Sequence, residues 1–270
     1  MTDGHSDITW LIRPDGLRLA TRHDPGRPGR GPGILFVHGL MSDMEGVKAR
    51  ALSGHARGRG WAFQRMDLSG HGRSEGAFEE CSVSQWRDDV LLALDHFGPE
   101  PDAFCPGAPG RVILAGSSLG GWIALLAALA RPERVAGLLL IAPAPDMTRR
   151  VAAHLTEAAR AALASHDVWL RPSAYGPPIP ITRRMLEDGE TLCLLDRPIA
   201  ISCPVRILHG QMDPDVPWQG SLLLAERLRS LDVQTTLLKH GDHRLSQPHE
   251  LDVLLQMLDA LHQEAFGPCS

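Results

Sequence analysis

The sequence predicts an α/β fold: a mostly parallel central sheet, helices on both of its faces, and a helical insertion late in the chain. Three observations carry that expectation. Short apolar runs at residues 34–37, 61–66, 112–115, 138–141 and 205–208 have the composition of strands buried on both faces. Helix-period segments at 47–59, 83–97, 119–130, 218–228 and 248–266 alternate with them, and such alternation builds parallel sheets. The rhythm fails between residues 144 and 200, where no strand pattern stands out.

Taken in order, residues 8–12 and 17–21 flank Pro14-Asp15-Gly16, which reads as a hairpin turn. Residues 22–33, rich in Pro, Gly and Arg, read as a surface loop. The strand–helix alternation assigns 1–143 and 201–270 to one core, of a size that a single domain can bury. Within 144–200, residues 147–164 are Ala-rich and helix-prone, and 171–180 are Pro-rich and irregular. We read this stretch as a cap over the functional edge of the sheet, since long connections tend to be functional. The plainer alternative is a helical excursion with no gating role.

Composition narrows the function class. A formal net charge of -5 leaves no basic footprint for nucleic acid. The apolar stretches 122–130 and 135–142 are too short to span a bilayer. Cys81, Cys105, Cys193, Cys203 and Cys269 are odd in number and form no C-x-x-C pair, which argues against a zinc site or disulfide framework and for a reducing compartment. Residues 1–7 are polar and acidic, with neither a secretory nor a transit pattern, so the expected location is cytoplasmic.

The most informative segment is Gly116-Ser117-Ser118-Leu119-Gly120, a G-x-S-x-G directly after an apolar strand and directly before a helix. The chain must turn sharply there, and small residues let it do so while presenting Ser118 Oγ at the strand end, beside a helix N-terminus that favours developing negative charge. Gly72-Arg73-Ser74-Glu75-Gly76 also matches the pattern. It follows a polar turn and precedes no helix, so Ser74 reads as a loop serine, and Ser117 as the residue between glycine and nucleophile.

A serine hydroxyl is hardly ionised at neutral pH and needs a base. In a sheet of this type the order is Ser, acid, His. Of thirteen histidines, His243 sits just past the expected strand 234–238 and before the last helix, where it can reach back to Ser118. His240 is its near rival; His249 and His262 belong to the final helix. The acid follows the preceding strand, where Asp213 and Asp215 are both available. Asp213 is preferred because it lies closer to the strand end, and the bland reading of either is a turn or capping aspartate. Backbone N–H groups of Leu119 and of Leu40, with Met41 as the alternative, are the expected oxyanion donors. His38 reads as support for that loop.

With these residues in view, the chain resembles the α/β-hydrolase superfamily. The likeness rests on His38-Gly39, Asp67-Leu68-Ser69-Gly70-His71-Gly72-Arg73-Ser74, the elbow around Ser118, His209-Gly210 with Asp213 and Val216-Pro217, and His243. It covers nearly the whole chain. Gly116-Ser117-Ser118-Leu119-Gly120-Gly121-Trp122, Ala130-Arg131-Pro132-Glu133-Arg134-Val135, Cys203-Pro204-Val205-Arg206-Ile207-Leu208-His209-Gly210, Val216-Pro217-Trp218 and Lys239-His240-Gly241-Asp242-His243-Arg244 are more closely similar to the mitochondrial palmitoyl-protein thioesterases of that superfamily, also described as acyl-glucuronide esterases. That resemblance implies cleavage of long-chain S-acyl groups or acyl-glucuronide esters, with Ser118, Asp213 and His243 as the triad. The missing transit pattern implies a bacterial-type, cytoplasmic relative, and 144–200 carries the least of the likeness.

The residues and the resemblance together predict acyl transfer through a covalent acyl-serine, on an acylated small molecule or acyl-protein, with no metal or organic cofactor required. A short-chain carboxylesterase and an acyltransferase would use the same triad. A binding protein on a retired scaffold would typically have lost one of the three residues.

Overall fold

Side chains alternate across the faces of a strand, and here both faces are apolar. Leu35, Val37, Leu114, Leu138 and Leu140 point to one side of the sheet, and Ile34, Phe36, Ile113, Leu139 and Ile141 to the other. Each face must be covered, which places helices on both. The computed structural model describes residues 7–97, 110–173 and 176–265. Residues 1–6, Cys105, Phe266 and Cys269 lie outside them.

In chain order the strands are β1 (Ile8–Ile12), β2 (Arg18–Asp24), β3 (Gly33–Val37), β4 (Phe63–Met66), β5 (Val112–Ser117), β6 (Val135–Ile141), β7 (Val168–Arg171), β8 (Ile179–Thr182), β9 (Val205–Gly210) and β10 (Val233–Leu238). The main sheet orders them β1-β2-β4-β3-β5-β6-β9-β10, and β7 pairs with β8 apart from it. Within the main sheet only the β1–β2 and β2–β4 pairs are antiparallel. The helices are α1 (Val47–Arg59), α2 (Val83–His96), α3 (Leu119–Ala130), α4 (Met147–Ala153), α5 (Glu157–His166), α6 (Arg183–Glu190), α7 (Gln219–Arg227) and α8 (Pro248–Ala265). Trp86 and Val90 of α2, Trp122 and Leu125 of α3 and Leu224 of α7 fill one face. Leu52 and Ala56 of α1, with Leu254 and Leu258 of α8, fill the other. Fully burying one such leucine contributes about 2 kcal/mol.

β2 runs to Asp24, three residues into the stretch expected to be loop, because residues 21–24 pair with 63–66 of β4. The larger correction falls between β6 and β9. The helix-prone stretch 147–164 is two helices, α4 and α5, the second starting where the Thr156 hydroxyl accepts the Ala159 N–H. The stretch read as strandless holds the antiparallel pair β7 and β8, followed by α6. Each strand has four residues and β8 carries Pro180, so neither shows a readable alternation.

Candidate active site

β3, β5, β9 and β10 run in one direction, so the loops at their carboxyl ends meet along one edge of the sheet. Ser118 stands between β5 and α3 with φ 54° and ψ −118°, a left-handed conformation that costs a non-glycine residue roughly 1–3 kcal/mol. The neighbouring backbone holds it there. Its N–H donates to the Ile141 carbonyl at 2.9 Å, and its carbonyl accepts from Gly121 and Ala144 at 3.0 and 3.1 Å. A Cβ on Gly116 would meet the Gly120 carbonyl oxygen at 2.3 Å, and one on Gly120 would meet that of Val37 at 2.3 Å, so the elbow closes only with glycine at both positions.

Beyond β9 the chain folds back on the loop after β10. A Cβ on Gly210 would lie 2.1 Å from the Gly241 carbonyl oxygen, and the Met212 N–H donates to that same carbonyl at 3.0 Å. This contact brings Asp213 to His243. Asp242 shapes the histidine's loop, its Oδ1 accepting the N–H groups of Arg244 and Leu245 at 2.9 and 3.2 Å.

The three predicted side chains meet in one hydrogen-bonded line. Ser118 Oγ lies 3.0 Å from His243 Nε2, and His243 Nδ1 lies 2.7 Å from Asp213 Oδ2. Asp213 Oδ1 accepts the N–H groups of Asp215 and Val216, each at 2.8 Å. The Asp213 side chain is 0% exposed and that of His243 19%. Burial alone would raise the Asp213 pKa, but hydrogen bonds from His209 and His243 outweigh it and hold the carboxyl well below the usual range. Since Asp213 is an ionised acceptor, the His243 proton sits on Nδ1, which leaves Nε2 to accept from Ser118.

The other sequence candidates are engaged elsewhere. Asp215 gives its N–H to Asp213, its carbonyl accepts Arg150 Nη1 at 2.5 Å, and its carboxylate faces Arg171 Nη2 at 3.3 Å. Ser74 Oγ donates to the Asp67 carbonyl at 2.6 Å and accepts the Ala20 N–H at 2.9 Å. Gly39 is packed on Ser118, where a Cβ would meet the Ser118 Cβ at 3.2 Å. His38 braces that loop, donating from Nδ1 to the Gly39 carbonyl at 2.7 Å and accepting the Leu68 N–H on Nε2 at 3.1 Å. Burial pushes the His38 pKa down to about 4, so the ring is neutral there. Leu119 opens α3, and a first-turn N–H has no acceptor within its own helix. Leu40, Met41, Lys48, Ser118, His243 and Arg244 are among the residues lining one cavity of about 290 Å³.

Three contributors were given no role from sequence, although His209 and Asp67 stand in segments that carry the resemblance. His209 donates to the Asp213 carboxylate. Lys48 Nζ donates to the Arg244 carbonyl at 2.5 Å. Asp67 joins two loops, accepting the Met44 and Arg73 N–H groups at 2.7 and 2.8 Å. His209 lies four residues before Asp213 at a strand end, and that spacing, with its place in the His209-Gly210 segment of the resemblance, was the available signal.

A family profile described as serine aminopeptidase, S33, matches residues 32–191. The mitochondrial palmitoyl-protein thioesterase ABHD10 of Mus musculus is 41% identical over 258 residues, 95% of this chain and 82% of that protein. Its counterpart in Bos taurus is 38% identical over 95% of this chain and 80% of the relative. The structure of alpha/beta hydrolase domain-containing protein 10 from mouse superposes with a TM-score of 0.83 at 39% identity, covering 96% of this chain and 99% of that one. A protein of Agrobacterium vitis S4 described as a candidate hydrolase superposes with a TM-score of 0.87 at 36% identity, covering 95% and 98%. These relatives overturn the cytoplasmic expectation: the thioesterases are mitochondrial by name, and the character of residues 1–7 carries no information on compartment. Among the described residues no helix is long and apolar enough to cross a membrane. The chain belongs to the α/β-hydrolase family and is a serine hydrolase.

Proposed function

We propose that this hydrolase cleaves long-chain S-acyl thioesters, with Ser118 as nucleophile, His243 as general base and Asp213 as the acid that orients it. The observation that carries the assignment of roles is the unbroken line from Ser118 Oγ through His243 to the buried Asp213 carboxylate. The 38–41% identity to palmitoyl-protein thioesterases supports the substrate class.

In the acylation step His243 Nε2 takes the hydroxyl proton as Ser118 Oγ bonds to the acyl carbon. The N–H groups of Leu40 and Leu119 hold the resulting oxyanion, and Asp213 stabilises the imidazolium. The C–S bond then breaks, and the thiol leaves with the proton carried by His243. Water, deprotonated by the same nitrogen, attacks the acyl-serine and releases the fatty acid with Ser118 restored. Residues 144–200 act as a cap that shapes the acyl site, a reading supported by Arg150 and Arg171, which reach from α4 and β7 to the acid loop.

Steady-state hydrolysis of matched thioesters and oxygen esters, from short to long acyl chains, tests this. Long-chain thioesters should be preferred, and Ser118→Ala should remove activity by roughly 10³-fold or more. Preference for short oxygen esters would replace the substrate class and leave the triad standing. Turnover that survives Ser118→Ala would overturn the assignment.

A further inference from the structure

We infer that His209 and Ser221 form a second imidazole–hydroxyl pair that positions Asp213 through the same carboxylate oxygen that His243 uses and limits how strongly it draws a proton onto that histidine. This inference rests on the triad roles proposed above.

The geometry is specific. The His209 side chain is 0% exposed, and Nε2 lies 3.1 Å from Asp213 Oδ2 and 3.1 Å from the Val216 carbonyl oxygen. Both partners are acceptors only, so Nε2 carries the ring proton and shares it between them. Nδ1 is then the acceptor, and it lies 2.7 Å from Ser221 Oγ, on a side chain wholly buried in the first turn of α7. The hydroxyl of Ser221 thus holds the His209 tautomer, as Asp213 holds that of His243. Asp213 Oδ2 receives two imidazole donors, and Oδ1 receives two amides.

Two imidazoles sharing one oxygen divide its charge. When His243 becomes an imidazolium, the carboxylate that stabilises it is already bonded to His209. The same bond prevents Asp213 from rotating out of the plane that His243 requires. Removing His209 should therefore do two things: turnover falls because Asp213 is less well oriented, and His243 becomes more basic because Oδ2 is left to it alone. A ring that merely filled space would affect folding without moving the titration of catalysis. His209 is a positioning residue, since it acts through Asp213.

The test is the pH profile of kcat/KM for His209→Leu and Ser221→Ala, with thermal midpoints recorded in parallel and Ser118→Ala run beside them. His209→Leu should lower kcat by about tenfold or more, leave KM within about twofold, and move the acid limb about half a pH unit upward. Ser221→Ala should move the limb in the same direction by less, and it decides the matter if His209→Leu does not fold. His209→Gln, which keeps a donor toward Asp213, should recover part of the loss. Acid limbs that coincide with the parent, with only the thermal midpoint lowered, would overturn the inference. If Ser118→Ala stays active, the triad assignment falls instead, whatever the His209 variants do.

Discussion

Lys48 Nζ donates to the carbonyl of Arg244 at 2.5 Å, so the first turn of α1 holds the loop that carries His243. Burial pushes the Lys48 pKa down to about 8, from an ordinary value of 10.5. Between these two values the unfolded chain binds more protons than the folded one, so this group makes stability rise with pH. Below pH 8 both states are protonated and the burial cost is felt in full. Lys48→Met removes that dependence. The variant's thermal midpoint minus the parent's should therefore fall by a few °C on going from about pH 7.5 to 10.5. A difference that stays constant across that range would contradict the expectation.

His71 carries a pH signature at the acid end. Its Nε2 is buried with no hydrogen-bond partner, within a ring cluster made by His38, Phe78 and Trp86. Burial, reinforced by His38, pushes its pKa down to about 3. The folded state thus binds fewer protons than the unfolded one, and stability present above about pH 6.5 is lost as pH falls toward 3. His71→Phe removes the unsatisfied Nε2 but also the Nδ1 bond to the Ser69 carbonyl, so stability at pH 7 should change by less than about 1 kcal/mol. At about pH 5 the variant should gain on the parent by about 1 kcal/mol or more. Urea midpoints at the two pH values check the gain and its sign.

Gly210→Ala should act on catalysis through the backbone. The new methyl meets the Gly241 carbonyl 2.1 Å away, so the loops bearing Asp213 and His243 must part. A misplacement on the order of 1 Å can cost about 10²-fold. Single-turnover acylation should slow by about that much, while substrate affinity measured with Ser118→Ala as background stays near that of Ser118→Ala alone. Parent-like acylation would mean that the loops relax without separating the pair.

Arg171→Ala separates a cap effect from a stability effect. The side chains of its pair with Asp215 are 30% and 29% exposed, and such pairs contribute about 0–1 kcal/mol. The thermal midpoint should hardly move. If β7 shapes the acyl site, kcat/KM for long-chain thioesters should fall by several-fold, with short-chain substrates unchanged. Equal losses at every chain length would place the effect on Asp213 through Asp215 rather than on the acyl site.

The core strands and helices were legible because each carries enough residues to show its character. A strand covered on both faces needs no alternation to be read, as in β6, expected at 138–141 and observed over Val135–Ile141, whose seven residues are all buried. Ser118 was legible because a strand, two glycines and a helix surround it, and the same context set Ser74 aside. What stayed hidden depends on chain folding back on itself. β7 and β8 are too short for a period to emerge, and Pro180 obscures the second. His209 looks like the end of a strand until the Asp213 loop curls over it and Ser221 arrives from the next helix. The choice between Asp213 and Asp215 likewise rested on distance from the strand end. In the folded chain the two are joined, one bonded to His243 and the other to Arg150 and Arg171.

Ser118 and His243 are separated by 125 residues, and the elbow is complete long before β10 exists. At ordinary elongation rates a ribosome needs on the order of 10 s to make that interval. Throughout it, a nascent chain could dock α3 on β5 and set the strained serine, yet have no imidazole to take its proton. On the roles proposed for Ser118, Asp213 and His243, hydrolysis begins only once the last two strands of the sheet are in place, so the appearance of activity would timestamp the completion of the fold.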